Sequence, residues 1–152
     1  MKARLKNERG VAAIEMTIVL FLGFVLLVAV VLLGRLTWHA IAMQKAVTNV
    51  GRIVTAMPFE TLTTFAVAEP LQTLAVAHIQ TAVRSAGLDT QPPASMTAVL
   101  CDGSPCGDTQ VGVLRVTSSI RFHDTIFGNE ASGLLPEEGL TVNTRYSQSY
   151  VP

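Results

Sequence analysis

An uncharged apolar stretch near the N-terminus constrains the fold more than any other feature of this chain. Residues 16–34 contain a single polar side chain, Thr17, and no charged residue lies between Glu15 and Arg35. A helix that spans a bilayer needs about 20 predominantly apolar residues. As a helix, residues 11–36 would extend about 39 Å, which exceeds a bilayer core of about 30 Å. The sequence therefore predicts a transmembrane helix at residues 11–36 that tilts or reaches into the headgroups.

The residues that flank this stretch predict its orientation. Residues 1–10 contain four Lys or Arg and one acidic residue, whereas Arg35, Lys45 and Arg52 are spread over a longer stretch on the other side. Lys and Arg concentrate on the cytoplasmic side of membrane helices. We therefore expect a cytoplasmic leader at residues 1–10, a single membrane pass and an extracytoplasmic C-terminal part. Trp38 follows the apolar stretch, where an indole favours the membrane interface.

The junction between leader and helix carries a specific pattern. Gly10 is followed by Val11, and Glu15 is the fifth residue after that glycine. This pattern resembles a type IV prepilin cleavage site, which has Gly before the cut, Glu at the fifth mature position and then a long apolar helix. The wider segment of residues 9–20 resembles the TadE-like family of tight-adherence (Flp) pilus proteins. This resemblance covers residues 9–57.

The resemblance implies a role for each residue of the pattern. A prepilin peptidase would cut after Gly10, Val11 would become the first mature residue, and Glu15 would neutralise the new amine, often on a neighbouring subunit. The family implies a minor pilin or pseudopilin of the bacterial inner membrane, with other pilins of the tight-adherence system as partners and incorporation in a pilus as one outcome. Two residues depart from the family pattern, since Met16 replaces an aromatic residue and Phe21 replaces a proline. By position alone, Glu15 also fits beside lipid headgroups or at the favourable N-terminal end of a helix.

Two other processing schemes remain open from the sequence. Ala40 and Ala42 form a small-x-small pair of the kind that signal peptidases cut, so a soluble exported protein cut after Ala42 is one alternative. The apolar stretch is long for a signal peptide. A membrane-anchored binding or enzymatic domain with an uncut leader is the other alternative. The first residue of the mature protein separates the three schemes, because it would be Val11, Met43 or Met1.

The remainder of the chain predicts further helices. Helical character continues through residues 37–57 as far as Pro58, although Gly51 is an unfavourable residue in a helix. Pro70 suits the first turn of another helix and Gly87 suits its C-terminal cap, with apolar residues at helical intervals between them.

From residue 96 onward the apolar residues alternate with a period of two, which predicts strands with one buried face. The expected strands are residues 96–101, 111–122 and 139–151, and residues 123–138 form a long connection. The predicted buried residues are Leu114, Val116, Ile120, Phe122, Leu140, Val142, Tyr146 and Tyr150. We therefore expect an extracytoplasmic α+β domain at residues 58–152, with about three antiparallel strands packed on helices, joined to the long N-terminal helix in a pilin-like layout.

The two cysteines, Cys101 and Cys106, enclose four residues that include Gly103 and Pro105, both typical of turns. An even cysteine count on the exported side of a membrane favours a disulfide. A bridge that closes so short a loop stabilises by about 2 kcal/mol in the chain-entropy description. A metal pair is the alternative, but further ligands at suitable spacing are missing.

Motifs that carry chemistry are otherwise absent from the sequence. Without residues 1–10 the chain has seven basic and ten acidic residues, which gives no electrostatic case for nucleic acid. His39, His78 and His123 are far apart, no nucleophile elbow occurs, and no phosphate-binding glycine pattern occurs. Glu137 and Glu138 suit a solvated loop better than catalysis. We therefore expect a structural protein with no metal or cofactor, and not an enzyme.

Overall fold

The computed structural model describes residues 5–63, 68–88, 90–107, 112–122 and 139–149. Their helices and strands form the predicted α+β fold, in which one long N-terminal helix precedes shorter helices and an antiparallel sheet. The chain divides into two compact units, Met1–Leu36 and Thr37–Pro152, which we call unit 1 and unit 2.

Helix α1 is continuous over 51 residues, Leu5–Thr55. The prediction that it continues beyond Trp38 is therefore confirmed. It ends before Pro58, because a proline and the residue that precedes it both disfavour helical backbone. The side chain of Thr55 turns back and donates to the carbonyl of Gly51 over 3.0 Å.

In unit 1, α1 exposes apolar side chains around its whole circumference. Among the large apolar side chains that are exposed here, the exposed fraction ranges from 49% at Val25 to 67% at Leu26. The one polar residue of the stretch, Thr17, donates its hydroxyl to the carbonyl of Ala13 over 2.7 Å, so its polar group is satisfied within the helix. The predicted long apolar helix is therefore confirmed. By length and composition it can cross a membrane.

In unit 2, α1 becomes amphipathic and contributes one stripe to a core. Its buried apolar residues follow the i, i+3, i+4, i+7, i+11 pattern of one helical face: Met43, Ala46, Val47, Val50 and Val54. This spacing keeps them on one face of a helix. Two further helices follow, α2 at Phe59–Thr63 and α3 at Ala68–Ser85, and α3 buries a residue every four positions: Leu71, Ala75, Ile79 and Val83.

Helix α3 ends as the sequence predicts. Gly87 has a φ of 76°, the left-handed conformation that glycine adopts readily. Its amide donates to Arg84 over 2.9 Å, and the amide of Leu88 donates to Val83 over 3.2 Å. These two bonds form a Schellman motif, in which the residue after the cap also packs on the helix. Leu88 is accordingly buried in the same core as Val83.

The sheet has four antiparallel strands in the order β2-β1-β3-β4. They are β1 at Thr97–Cys101, β2 at Ser104–Pro105, β3 at Val113–Phe122 and β4 at Leu140–Ser149. The predicted alternation is confirmed on β3, where Leu114, Val116, Ile120 and Phe122 are all buried. On β4, Leu140, Val142 and Tyr146 lie on the less exposed face, whereas Tyr150 lies outside the described residues.

The extra strand β2 corrects the expectation of about three strands. Asp102 and Gly103 both have positive φ, 52° and 91°, as the two central residues of a type I′ hairpin turn do. This turn folds Ser104 back against Cys101. The strand start also differs by one residue, because Met96 closes a short 3-10 turn, Ala94–Met96, before β1 begins.

Two contacts fix the helices against the sheet. The amide side chain of Gln72 on α3 donates to the carbonyl of Thr97 and accepts from the amide of Val99, the latter over 3.1 Å. Gln72 thus takes the place of a strand along the part of β1 that the two-residue β2 does not cover. The second contact is on α1, where the ring of Tyr146 lies against the backbone of Gly51.

Candidate functional site

The predicted processing residues lie in the first part of α1. Gly10 is helical and exposed, and a Cβ built on it would meet no atom within 4 Å. Glycine weakens a helix interior by about 0.5–1 kcal/mol relative to alanine. The packing of this chain therefore gives no reason for a glycine at position 10. The same holds for Gly23 and Gly34 in unit 1.

Val11 and Glu15 are four residues apart on α1, and both are exposed. Residues at this spacing share one face of a helix with their Cβ atoms about 5–6 Å apart. The structure therefore brings together the two positions that the prepilin pattern joins in sequence. Between them and beyond them the face is apolar, since Ile14 and Ile18 are exposed as well.

The surface that surrounds this pair is the largest exposed apolar surface in the described chain. It consists of exposed large apolar residues of unit 1: Val11, Ile14, Met16, Ile18, Val19, Leu20, Phe21, Leu22, Phe24, Val25, Leu26, Leu27, Val30 and Leu33. Full burial of one such side chain is worth about 1.5–3 kcal/mol. Removal of this surface from water is therefore worth tens of kcal/mol in total. Lipid or other apolar helices provide such an environment.

The predicted disulfide between Cys101 and Cys106 is present, with a Cα–Cα distance of 4.9 Å. Both cysteines are buried in the core of unit 2. Cys101 ends β1 and Cys106 follows β2, so the bridge joins the end of one strand to the residue after the next. Asp102 was not predicted from the sequence, and its carboxylate accepts from the amides of Gly112 and Val113 over 2.6 and 2.8 Å. The signal available in the sequence was Asp-Gly, the dipeptide most typical of a two-residue hairpin turn.

The residues just after the apolar stretch pack within unit 2. The indole nitrogen of Trp38 donates to the carbonyl of Ala86 over 3.2 Å. His39 is buried, and its ring meets the ring of Phe122 edge-on with centroids 4.8 Å apart. Unit 2 therefore begins its contacts upstream of Ala42, the residue after which a signal peptidase would cut.

Histidines and carboxylates do not converge in the described part of the chain. His39 is a core residue, His78 lies exposed on α3, and His123 falls outside the described residues, as do Glu137 and Glu138. Among the residues that the structure describes, no group of three or more His, Cys, Asp or Glu is placed to hold a metal ion.

Comparisons with protein-family models, with curated proteins and with solved structures found no match. The functional argument therefore depends on the residues of this chain. They offer three features: the Gly10–Val11 junction, a carboxylate one helical turn further on, and an exposed apolar helix joined to a disulfide-bonded domain.

Proposed function

We propose that this chain is a minor pilin-like or pseudopilin-like structural protein that takes part in the assembly of a tight-adherence (Flp-type) pilus. One observation carries the proposal. The exposed apolar face of α1 begins directly after Gly10, and its only charged side chain before Arg35 is Glu15, one turn from Val11. A carboxylate within a membrane helix is costly, and it marks a functional role by default.

The proposed topology follows from the charges around the helix. The four basic residues of the leader favour a cytoplasmic N-terminus, and the C-terminal domain would then lie outside a bacterial inner membrane. An oxidising compartment on that side maintains disulfides, which agrees with the bridge between Cys101 and Cys106.

Processing is proposed to occur at the bond between Gly10 and Val11. A prepilin peptidase adds water across this bond, which leaves a carboxylate on Gly10 and a free amine on Val11. An α-amine has an ordinary pKa of about 8 and is mostly protonated at neutral pH. The new positive charge then lies at the edge of the apolar helix, where the carboxylate of Glu15 on the same or a neighbouring chain compensates it.

Assembly is proposed to use the apolar surface of unit 1. Cleavage removes the basic leader, so the positively charged leaders of neighbouring chains no longer repel one another. The apolar helices of neighbouring subunits then pack side by side, and each pair of Val11 amine and Glu15 carboxylate fixes the axial register. A register shifted by one turn would leave both charges uncompensated in an apolar environment.

The packing of unit 2 favours this proposal over a soluble protein cut after Ala42. Met43 would then be the first residue, although it lies within the buried stripe of α1. The cut would also remove Trp38 and His39 from their contacts with Ala86 and Phe122. A membrane-anchored binding or enzymatic domain is the remaining alternative, and the mature N-terminus separates it from a processed pilin.

The assembly role is tested with Glu15→Ala in a host cell that carries a prepilin peptidase and the pilus system. We expect the variant to be cleaved after Gly10 but to lose co-assembly with neighbouring pilins, measured by cross-linking and by recovery in sheared fibres. Glu15→Asp should retain part of the assembly because it keeps the charge. Thr17→Val is the matched control, since it removes a polar group from the same part of the helix without removing charge. Assembly of Glu15→Ala at the wild-type level would contradict the role of Glu15.

A further inference from the structure

The outer face of the sheet in unit 2 carries three arginines. Side chains that are opposite one another on neighbouring antiparallel strands point to the same face, and the outer face alternates with the buried one along β3. Arg115 is opposite Ser147, Thr117 is opposite Arg145, and Arg121 is opposite Thr141. We call this surface the arginine face. Its described residues on β1, β3 and β4 are Ala98, Leu100, Val113, Arg115, Thr117, Ser119, Arg121, Thr141, Asn143, Arg145, Ser147 and Ser149.

Among the residues that the structure describes, the arginine face carries positive charge without a counter-charge. None of its described residues is Asp or Glu. The described contacts include no ion pair to Arg115, Arg121 or Arg145. In addition, the buried Nε of Arg115 has no hydrogen-bond partner within the described structure. A buried donor without an acceptor is uncommon in folded proteins and calls for an explanation.

The arginines are spaced along the strands with polar groups between them. Arg115 and Arg145 are diagonal neighbours, about 7–8 Å apart, and Arg121 lies about 20 Å from Arg115 along β3. An open depression on this face is lined in part by Thr117, Asn143 and Arg145. The face thus combines guanidinium groups with hydroxyl and amide groups that can bind a polypeptide backbone.

We propose that the arginine face binds an acidic polypeptide segment of a neighbouring protein. The guanidinium group presents a planar fork of donors that matches a carboxylate in a bidentate pair. In an extended segment, side chains on one face recur about every 6.6–6.8 Å, close to the separation of Arg115 and Arg145. Carboxylates at alternate positions of such a segment would therefore meet both arginines.

Other anionic ligands fit this face less well. Proteins that bind single-stranded nucleic acid stack bases on aromatic side chains, and the described residues of the arginine face include no Phe, Tyr or Trp. Binding to duplex phosphates usually engages more basic residues than three. Protein surfaces that lie in a membrane interface combine basic residues with a broad apolar face. The large apolar residues among the described residues of the arginine face are Leu100 and Val113, both beside Arg115, whereas Thr, Ser and Asn surround Arg121 and Arg145.

The chain itself contains a sequence of the required chemistry. Residues 123–138 include Asp124, Glu130, Glu137 and Glu138 and no Lys or Arg. A synthetic peptide of this sequence is therefore a suitable probe for the binding test. Its matched control replaces the four acidic residues with Asn or Gln. The proposal is independent of cleavage after Gly10 and of the role of Glu15.

Binding is measured in lipid nanodiscs with the full chain, whose own Asp124, Glu130, Glu137 and Glu138 are replaced with Asn or Gln so that they do not compete. The ligand is a fluorescently labelled peptide of residues 123–138 with the natural sequence, and binding is followed by anisotropy at two salt concentrations. We expect saturable binding that weakens with salt, and at least tenfold weaker binding to Arg145→Gln. Arg145 is exposed, so this substitution should leave the fold intact. Lys45→Gln, Arg52→Gln and Arg84→Gln form the control, because they remove exposed positive charge elsewhere in unit 2 and should leave binding unchanged.

Several results would overturn the proposal. One is equal binding of the acidic peptide and its amide control, which would show that charge does not contribute to recognition. Another is an equal loss of affinity in Arg145→Gln and in the control variants, which would indicate nonspecific attraction. No binding of the peptide, or binding only of duplex DNA or of phosphatidylglycerol vesicles offered in parallel, would reject an acidic polypeptide as the partner.

Discussion

The contact between Gly51 and Tyr146 determines how closely α1 approaches the sheet. A Cβ built on Gly51 would lie 2.6 Å from Cγ of the Tyr146 ring, and closer still to Cδ1. Carbon atoms in favourable contact lie about 3.5–4.0 Å apart, so the rigid ring would have to retreat by more than about 1 Å. Gly51 is thus unfavourable for the helix by itself but is required by the packing.

The expected effect of Gly51→Ala combines two opposing contributions. Overpacking of a core costs about 1–3 kcal/mol, whereas alanine in a helix interior is favoured over glycine by about 0.5–1 kcal/mol. We therefore expect Gly51→Ala to lower the free energy of unfolding of unit 2 by up to about 2.5 kcal/mol. In a Tyr146→Ala background the ring is absent, and the same substitution should raise that free energy by about 0.5–1 kcal/mol.

The sign change is measured by a double-mutant cycle on the full chain in detergent micelles. Urea unfolding is followed by the fluorescence of Trp38, the only tryptophan, whose indole is bonded to Ala86 in unit 2. The coupling between Gly51 and Tyr146 should equal the overpacking cost of about 1–3 kcal/mol, within the range of residues in contact. Equal effects of Gly51→Ala in both backgrounds would refute the close approach of ring and helix.

Two further substitutions test unit 2 in the same assay. Gln72→Leu leaves the carbonyl of Thr97 and the amide of Val99 without their partner, and it should lower the free energy of unfolding by about 2–3 kcal/mol; a loss below 0.5 kcal/mol would argue against these bonds. Replacing Cys101 and Cys106 with alanine should lower it by about 2 kcal/mol, and reduction of the wild-type chain should have a similar effect while the alanine variant stays insensitive to reductant.

Local patterns in the sequence were sufficient to predict most helices and strands. The strand β3 was predictable because alternate apolar residues point to one side of a strand, as Val116 and Ile120 do. The end of α3 was predictable because Gly87 adopts a left-handed conformation at small cost. These signals depend on neighbours along the chain, so no knowledge of the tertiary fold was needed.

Contacts between distant residues were not predictable from the same patterns. Gly51 weakened the helix prediction because glycine is unfavourable in a helix. The contact that requires glycine there is with the ring of Tyr146, 95 positions away in sequence, and local patterns do not reveal it. Gln72 reads as an ordinary polar helix residue until β1 is placed beside it. The arginine face was not predicted because Arg115 and Arg145 belong to different strands, and the net charge of the chain beyond its leader is acidic.

The residues proposed for processing form a pattern that is local in sequence, and the structure adds that Val11 and Glu15 share an exposed helical face. Met16 and Phe21, the two departures from the TadE-like pattern, are both exposed on α1. At these positions the fold of one chain imposes no packing constraint, so substitutions there affect only the surroundings of the helix.

The most direct test of the account is the N-terminal residue of the mature protein. The full chain is produced in a bacterium that contains a prepilin peptidase, purified from the membrane fraction, and analysed by N-terminal sequencing and intact mass. We predict Val11 as the first residue, with the mass reduced by that of residues 1–10, and no such processing in a Gly10→Val variant. A mature protein that begins at Met43 and is recovered outside the membrane would contradict the anchored pilin, and an uncut chain that begins at Met1 beside an active peptidase would contradict the processing.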